Sequence, residues 1–187
     1  MVSDMSTEWD RKYSEGEYVS GVNPSRLLTE LLPLIPLGKA LDIACGEGRN
    51  SIYLARQGFE VDAVDISGVA IKRGREAANG LSVNFIAQDL ESFRIPTDTY
   101  DLIINFNYIQ RSLVQDIKKG LKSGGYLIFE TYTLEQQEFG PPRNPDFLLG
   151  PNELLRLFND LHIVYYREGV VEEGRKKAIA SLVGKKI

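Results

Sequence analysis

A glycine-bearing turn between two carboxylates is the segment of this chain best suited to binding a ligand. It runs from Asp42 to Asn50 and contains Gly46-x-Gly48. Glycine lets the backbone turn sharply and lets a ligand approach closely, and a helix that follows such a turn offers free N–H groups. A second carboxylate, Asp65, lies 65 − 48 = 17 residues beyond Gly48, about where doubly wound folds place an acid that binds ribose hydroxyls. The spacing predicts a nucleoside site.

The charge of Asp42 distinguishes between two classes of nucleoside ligand. Dinucleotide-binding turns stay neutral so that the helix dipole can receive a pyrophosphate, and they use a third small residue, for which Ser51 is an imperfect match. A carboxylate four residues before Gly46 favours a cation and repels a pyrophosphate. S-adenosylmethionine carries a sulfonium and an ammonium, so it fits better than NAD. A dinucleotide oxidoreductase stays open as an alternative, although 187 residues leave no room for a second substrate domain.

Strand-like and helix-like segments alternate along the chain, which predicts a doubly wound α/β fold. The first five strands are nearly all apolar, as is typical of parallel strands buried on both faces. Two late strands, joined by a turn that contains Gly169 and Gly174, predict an antiparallel hairpin at the far edge of the sheet. The predicted strands are residues 39–44, 59–64, 82–87, 100–106, 126–132, 162–166 and 178–183, and the predicted helices are a segment opened by Asn23-Pro24-Ser25 and residues 50–57, 69–78, 110–121 and 153–158.

Two segments lack a clear hydrophobic period. The arm from Trp9 to Asn23 is rich in Tyr, Gly and charge, and its aromatic residues either cover a ligand or attach the arm to the sheet. The stretch from Thr133 to Leu149 contains Gly140-Pro141-Pro142 and is long for a connection in a compact domain. We predict that residues 1–23 form an arm or lid and that residues 133–149 form a substrate loop without regular structure.

Composition limits the classes of function. The 187 residues with 43% hydrophobic content suit one domain, residues 1–187, with a core that needs no disulfide. One Cys and one His cannot supply a typical zinc site, so we expect no metal. The net charge of −4 gives no general attraction to nucleic acid, and the most apolar stretch is short and contains two prolines. We expect a cytoplasmic protein with no membrane or nucleic-acid partner, as a monomer or homodimer.

The pattern Asp42-x-x-x-Gly46-x-Gly48 followed by Asp65 resembles the principal signature of the class I S-adenosylmethionine-dependent methyltransferases, and the resemblance covers most of the chain. It implies a Rossmann-like, mostly parallel seven-stranded sheet with an antiparallel last strand, in agreement with the predicted hairpin. Residues 46–55 and the N-terminal arm are similar to small bacterial methyltransferases related to the tellurite-resistance and thiopurine methyltransferases, which act on small, soft nucleophiles. Residues 136–149 depart from both, so the substrate is not implied.

The resemblance also implies roles for individual residues in S-adenosylmethionine binding. Asp42 would lie near the ammonium, Asp65 would bind the ribose hydroxyls, and Ile66 would pack on adenine. Asp89 would accept from the adenine amine, and Phe106 would line the pocket near the sulfonium. The full predicted cofactor set is Trp9, Tyr13, Tyr18, Asp42, Ala44, Gly46, Gly48, Asn50, Asp65, Ile66, Gln88, Asp89, Leu90, Asn105 and Phe106.

Structural roles remain alternatives to these assignments. Asp65 and Asp89 can each cap a local turn, with Ser67 the better cap for the helix after Asp65. We assign Cys45 to packing, and His162 to an ordinary role on a late strand.

The acceptor side is predicted from three residues: Arg143, Tyr132 and Asn105. Arg143 is the one strong cation of the loop, and it either meets an anionic acceptor or pairs at the surface with Glu138 or Asp146. The predicted activity is methyl transfer to a small molecule, such as a thiol or a metalloid oxyanion. The alternatives are an RNA or protein methyltransferase and a catalytically silent S-adenosylmethionine-binding module.

Overall fold

The computed structural model describes residues 4–16 and 21–187. In this part of the chain, seven strands form one sheet in the order β3-β2-β1-β4-β5-β7-β6. The strands are β1 (Lys39–Ile43), β2 (Glu60–Asp65), β3 (Val83–Ala87), β4 (Tyr100–Phe106), β5 (Leu121–Tyr132), β6 (His162–Glu173) and β7 (Arg175–Lys185). The helices are α1 (Asp4–Glu15), α2 (Arg26–Leu31), α3 (Arg49–Arg56), α4 (Gly68–Ala78), α5 (Val114–Gly120) and α6 (Glu153–Leu157).

The sheet confirms the predicted fold class. Strands β1 to β5 pair in parallel, whereas β7 is antiparallel to both β5 and β6. Gly174 alone separates β6 from β7, and Gly169 lies inside β6 rather than in the turn. The helix predicted at 110–121 is shorter, because a 3₁₀ turn (Arg111–Leu113) precedes α5 and β5 already begins at Leu121.

Alternate residues of the central strands face two separate helical layers. Ala40 and Ile104 pack with Leu28 of α2, whereas Leu41 and Ile103 pack in a second core with α5 and α6. Both faces of β1 and β4 are therefore buried, which explains their continuous apolar runs. The chain moves outward from β1 through β2 to β3, then returns to β4 on the other side of β1. This reversal opens a crevice at the carboxyl ends of β1 and β4, where ligands bind in such sheets.

The N-terminal arm corrects one prediction. Residues 4–15 form helix α1, so the expectation of an aperiodic segment from Trp9 is wrong for this part. Two ion pairs at helical spacing, Lys12 with Glu8 and Arg11 with Glu15, join successive turns. Met5, Trp9 and Tyr13 recur at every fourth position, and this short apolar stripe was hidden by the surrounding charges.

The loop from Thr133 to Leu149 is ordered by its own hydrogen bonds. It contains two 3₁₀ turns, Leu134–Glu138 and Pro145–Phe147, so the prediction of no regular structure is wrong for these residues. The buried Gln136 side chain accepts from the Ala178 amide at 2.9 Å and donates to the Pro141 carbonyl at 3.1 Å. The loop is thus attached to β7. Among the described residues, no helix has the length and apolar character that a membrane span requires.

Candidate functional site

The turn between β1 and α3 has a left-handed backbone at three positions. Ala44, Gly46 and Gly48 have φ values of 52°, 58° and 80°. A Cβ on Gly48 would lie 2.5 Å from a ring carbon of Phe85, so a larger residue there is both strained and crowded. Because Gly48 stands at the N-cap position of α3, the turn brings its backbone to the start of that helix. It therefore forms a close-packed cradle at the crevice.

Asp65, at the carboxyl end of β2, is attached to this cradle. Its two oxygens accept from the Gly46 amide at 2.8 Å and from the Ser67 amide at 2.9 Å. Burial raises the pKa of Asp65, and these two hydrogen bonds oppose the rise. Ser67 itself caps α4 by accepting from the Ala70 amide at 3.1 Å. A carboxylate has about four lone-pair sites, so Asp65 retains acceptor capacity for a ligand.

Asp42 is a buried carboxylate that lines the pocket beside the turn. It is 2% exposed and accepts from the Ser51 hydroxyl at 2.5 Å. Burial raises the pKa of Asp42 to about 7, and the hydrogen bond from Ser51 and the charge of Arg49 only partly oppose that rise. A cationic group of a ligand placed beside Asp42 would favour its charged form. A pyrophosphate in the same place would instead favour the protonated form.

The pocket at this turn is narrow. Its volume is about 30 Å³, which is room for little more than a water molecule. Tyr13 of α1 is 3% exposed and closes one side. A whole nucleoside is larger than this space, and the residues predicted to bind one, such as Asp65 and Asp89, do not line it. The lining residues are Tyr13, Asp42, Ala44, Cys45, Gly46, Arg49, Asn50, Phe106 and Asn107.

Helix α1 is held over the loop between β2 and α4. One oxygen of Asp10 accepts from the Ser67 hydroxyl at 2.6 Å and from the Val69 amide at 3.1 Å. Arg73 of α4 donates to the Tyr13 carbonyl at 2.8 Å. Trp9 packs beside Tyr13, with ring centroids 6.1 Å apart. The structure thus places Tyr13 at the pocket and Trp9 beside Tyr13 but not among the lining residues, whereas Tyr18 lies outside the described residues.

The residues predicted for the adenine side lie next to Asp65. The Gln88 amide donates to the Asp65 carbonyl at 2.9 Å. Asp89 accepts from the Glu91 amide at 2.9 Å, so it caps the following turn. Leu90 is buried in the core, and Ile66 is half-buried.

Tyr108 was not predicted from the sequence, although it lies near the same carboxylates. Burial raises the pKa of its phenol, and the negative charges of Asp89 and Asp65 raise it further. Its hydroxyl donates to the Gln110 side chain at 2.6 Å. Its one sequence signal is its position just beyond the end of β4.

Asn105 and Asn50 have structural partners in addition to their predicted roles. Asn105 is buried and donates to the Tyr108 carbonyl at 2.7 Å, which supports the loop after β4. Asn50 lines the pocket and accepts from the Ser25 amide at 2.9 Å, which joins α3 to the start of α2. Asn107, with φ 59°, also lines the pocket and was not predicted.

The acceptor-side candidates are spread along the end of β5 and the loop. The Tyr132 carbonyl accepts from the Leu149 amide at 2.9 Å, so Tyr132 marks the base of the loop. Arg143 is exposed and lines neither the pocket at the turn nor a second cavity beside the loop. Among the described ion pairs, none joins Arg143 to Glu138 or Asp146.

Arg111, which sequence reasoning missed, fixes the far end of the loop. Its guanidinium pairs with Glu153 at 2.6 Å and donates to the carbonyls of Asp146 and Leu148 at 3.0 and 2.9 Å. Glu153 in turn accepts from the Gly150 amide at 2.8 Å. These partners are distant in sequence, so no local pattern could reveal them.

Known proteins resemble this chain in sequence. A family model described as a methyltransferase domain matches residues 40–125. The probable S-adenosyl-L-methionine-dependent methyltransferase TehB of Haemophilus influenzae is 27% identical over 143 residues, covering 72% of this chain and 49% of that protein. A probable thiol methyltransferase 2 of Arabidopsis thaliana is 24% identical over 156 residues, covering 76% of this chain and 69% of that protein. The chain spans about half the length of TehB.

Solved structures share the fold. The crystal structure of TehB from Haemophilus influenzae aligns with a TM-score of 0.79 at 21% identity, covering 95% of this chain and 67% of that one. A geranyl diphosphate C-methyltransferase from Streptomyces coelicolor, solved with S-adenosyl-L-homocysteine, aligns with a TM-score of 0.72 at 13% identity over 99% of each chain. These likenesses confirm the Rossmann-like methyltransferase fold.

Proposed function

We propose that this chain, a member of the class I S-adenosylmethionine-dependent methyltransferases, transfers a methyl group from S-adenosylmethionine to a small-molecule acceptor. The observation that carries the proposal is the pair of buried carboxylates, Asp42 and Asp65, on either side of a left-handed glycine turn. A dinucleotide would bring a pyrophosphate against Asp42, whereas S-adenosylmethionine brings an ammonium. The described strands all belong to one sheet, which supports treating residues 1–187 as a single domain.

Each part of the turn has a role in this proposal. Gly46 and Gly48 allow the backbone to approach the methionyl part, and Asp42 faces its ammonium. Asp65 accepts from the ribose hydroxyls with the lone pairs that Gly46 and Ser67 leave available. On the adenine side, Ile66 packs against the ring and Asp89 accepts from the exocyclic amine, with Gln88 and Leu90 holding that segment in place.

The sulfonium of the bound cofactor supplies a methyl group with a good leaving group. The acceptor atom uses its own electron pair to form a bond to the methyl carbon. The carbon–sulfur bond breaks at the same time, and the electron pair of that bond stays on the sulfur. The chain's contribution is alignment, because holding the two reacting atoms near 3 Å can account for roughly 7–11 kcal/mol of barrier lowering. Phe106 and Asn107 line the pocket from the end of β4, where they can orient the acceptor.

A soft anionic acceptor agrees best with these residues. A thiolate or a metalloid oxyanion needs no general base, whereas an amine or a hydroxyl does. The relatives named above include a thiol methyltransferase, which supports a soft nucleophile. The loop from Thr133 to Leu149 forms one wall of the acceptor side, with Tyr132 at its base and Arg143 available for an anion that reaches the rim.

Helix α1 is the lid of the cofactor site in this proposal. Tyr13 lines the pocket at the turn and Trp9 packs beside Tyr13, and aromatic faces attract a sulfonium. The lid opens to admit the cofactor and closes over it, which excludes water from the reacting atoms.

Calorimetry with S-adenosylmethionine, its demethylated product and NAD tests the cofactor assignment. We expect saturable binding of the first two and none of NAD. A methyl-transfer screen against thiols, metalloid oxyanions, amines and small RNAs then tests the acceptor. NAD binding of comparable strength would reject the cofactor, and efficient methylation of a structured RNA would reject the small-molecule acceptor.

A further inference from the structure

A second cavity lies beside the loop, next to the end of β5 and the middle of β6. Its volume is about 430 Å³, within the usual range for small-molecule sites. It shares no lining residue with the pocket at the glycine turn. The lining residues are Thr133, Leu134, Glu135, Leu149, Pro151, Asn152, Tyr166, Arg167, Glu168 and Gly169.

The alternation of β6 decides which of its side chains face this cavity. Tyr166 donates its hydroxyl to Glu168, so these two side chains lie together on one face of the strand. Arg167 lies between them and therefore points to the opposite face. Its partner in the register is Ser181, whose hydroxyl donates to Glu130 at 2.7 Å on that other face. The alternation therefore turns the Arg167 side chain away from the face that carries Tyr166 and Glu168.

The charged side chains on the cavity's face are both carboxylates. Glu168 is held in place because its two oxygens accept from the Asn152 amide at 3.1 and 3.0 Å. Glu135 is exposed at the start of the loop. The nearby cation Arg156 is not a lining residue and donates to the Pro151 carbonyl at 2.8 Å. The charged lining side chains on this face are therefore negative, and the positive charge of Arg156 opposes the rise in the pKa of the Tyr166 phenol.

The remaining walls are apolar or open. Leu134, Leu149 and Pro151 form an apolar side. Gly169 has φ 139°, and a Cβ there would meet nothing within 4 Å. A glycine inside a strand often marks a place where a ligand approaches the backbone closely. The space beside Gly169 is thus available to a ligand.

We propose that this cavity binds a small alkylammonium ion, with its ammonium between Glu135 and Glu168 and its alkyl part against Leu134 and Leu149. A protonated amine supplies the three donors and the positive charge that these acceptors lack. The phenol ring of Tyr166 adds an aromatic face for the cation. The proposal does not depend on methyl transfer, because the two sites share no lining residue.

The test uses three probes of one shape and different charge: n-butylammonium, n-butanol and n-butyrate. Binding to the full chain is followed by amide chemical-shift mapping in NMR spectra. We expect saturable shifts with n-butylammonium at Leu134, Asn152 and Gly169, and weak or no shifts with the other two. Equal binding of n-butanol, or shifts that lie elsewhere on the surface, would overturn the proposal.

Two cavity variants and one matched control test the charge. Glu135→Gln should weaken n-butylammonium binding about fivefold, as expected for one exposed charge, whereas Glu138→Gln on the same segment should leave it unchanged. Glu168→Gln should weaken it more, with a thermal melt to verify folding. Unchanged affinity in both cavity variants would contradict the proposal. Addition of S-adenosyl-L-homocysteine separates this site from the cofactor site, because it should not displace n-butylammonium.

Discussion

The Asp65 carboxylate holds the Gly46 amide at 2.8 Å, so the end of β2 fixes the turn that follows β1. The two residues are 19 positions apart in the chain, and neighbouring parallel strands bring them together. The residue proposed to bind the ribose therefore also shapes the turn proposed to receive the methionyl part. Under that proposal, cofactor affinity and turn geometry depend on the same side chain.

Asp65→Asn should lower the affinity for S-adenosylmethionine by about 1.5–3 kcal/mol, because an ionised acceptor is lost. Isothermal titration calorimetry measures this change. Asp62→Asn is the matched control on the same strand, since Asp62 accepts from Asn84 and Tyr100 away from the turn. It should lower stability but not affinity. An affinity unchanged by Asp65→Asn would remove Asp65 from the site.

Asp42 should make stability fall as pH rises from about 4 to 7. Its pKa is about 7 in the folded chain and about 3.9 when unfolded, so the folded state holds a proton that the unfolded state has lost. The unfolding free energy decreases through this window, by up to about 4 kcal/mol. Urea unfolding of the parent and of Asp42→Asn at pH 5 and pH 8 measures it. The variant should gain relative stability at pH 8, and identical pH profiles would contradict a raised pKa.

Gly48→Ala should destabilise the chain more than Gly80→Ala. Both glycines have a left-handed backbone, with φ 80° and 82°, so both variants carry the same conformational strain. Only at Gly48 does the new Cβ meet Phe85, at 2.5 Å, whereas the space at Gly80 is open. The difference in unfolding free energy should be about 1–3 kcal/mol, the usual cost of overpacking. Equal losses would show that the Phe85 ring moves aside freely.

Asp10→Ala should loosen α1, because the start of α4 loses its contact with Asp10. We expect a loss of about 0.5–2 kcal/mol, as for a lost helix cap, and faster hydrogen exchange in α1. Glu8→Ala is the control, since Glu8 pairs with Lys12 inside the same helix. Bound S-adenosyl-L-homocysteine should slow exchange in α1 of the parent chain. Identical exchange with and without this ligand would argue against a lid.

Arg111→Met should reduce kcat/KM for the acceptor about tenfold, because the end of the loop loses its anchors at Asp146, Leu148 and Glu153. Arg143→Ala should raise KM only for an anionic acceptor. Both variants should retain the parent's affinity for S-adenosylmethionine. Steady-state kinetics on a verified acceptor separates these effects. Parent-like kinetics for Arg143→Ala would exclude contact between Arg143 and the acceptor.

Much of the fold follows from local sequence. The run at β4 predicts a strand over residues 100–106, and the structure has the same bounds. Buried parallel strands are continuous apolar runs, so their signal does not depend on distant contacts. Helix α1 was missed because its apolar face has only one residue per turn and its ion pairs look like unpatterned charge.

The candidate site likewise contains residues that the sequence predicts and residues that it does not. Asp42, Gly46 and Asp65 can be predicted because the ends of neighbouring parallel strands always meet at one edge. Tyr108 and Arg111 could not be predicted, because their positions depend on how the segment after β4 packs against residues from β2, β3 and α6. Tyr108 and Arg111 meet their partners only in the folded chain, and no spacing in the sequence indicates these contacts.

The position of β7 has a consequence for synthesis of the protein. It is the last of the described strands but lies between β5 and β6, and 175 − 132 − 1 = 42 residues separate it from β5. At ribosomal rates of roughly 5–20 residues per second, the edge of β5 waits roughly 2–8 s for its partner. During that time the unpaired backbone of β5 can pair with another nascent chain. Slow elongation through residues 133–174 would therefore favour aggregation on polysomes.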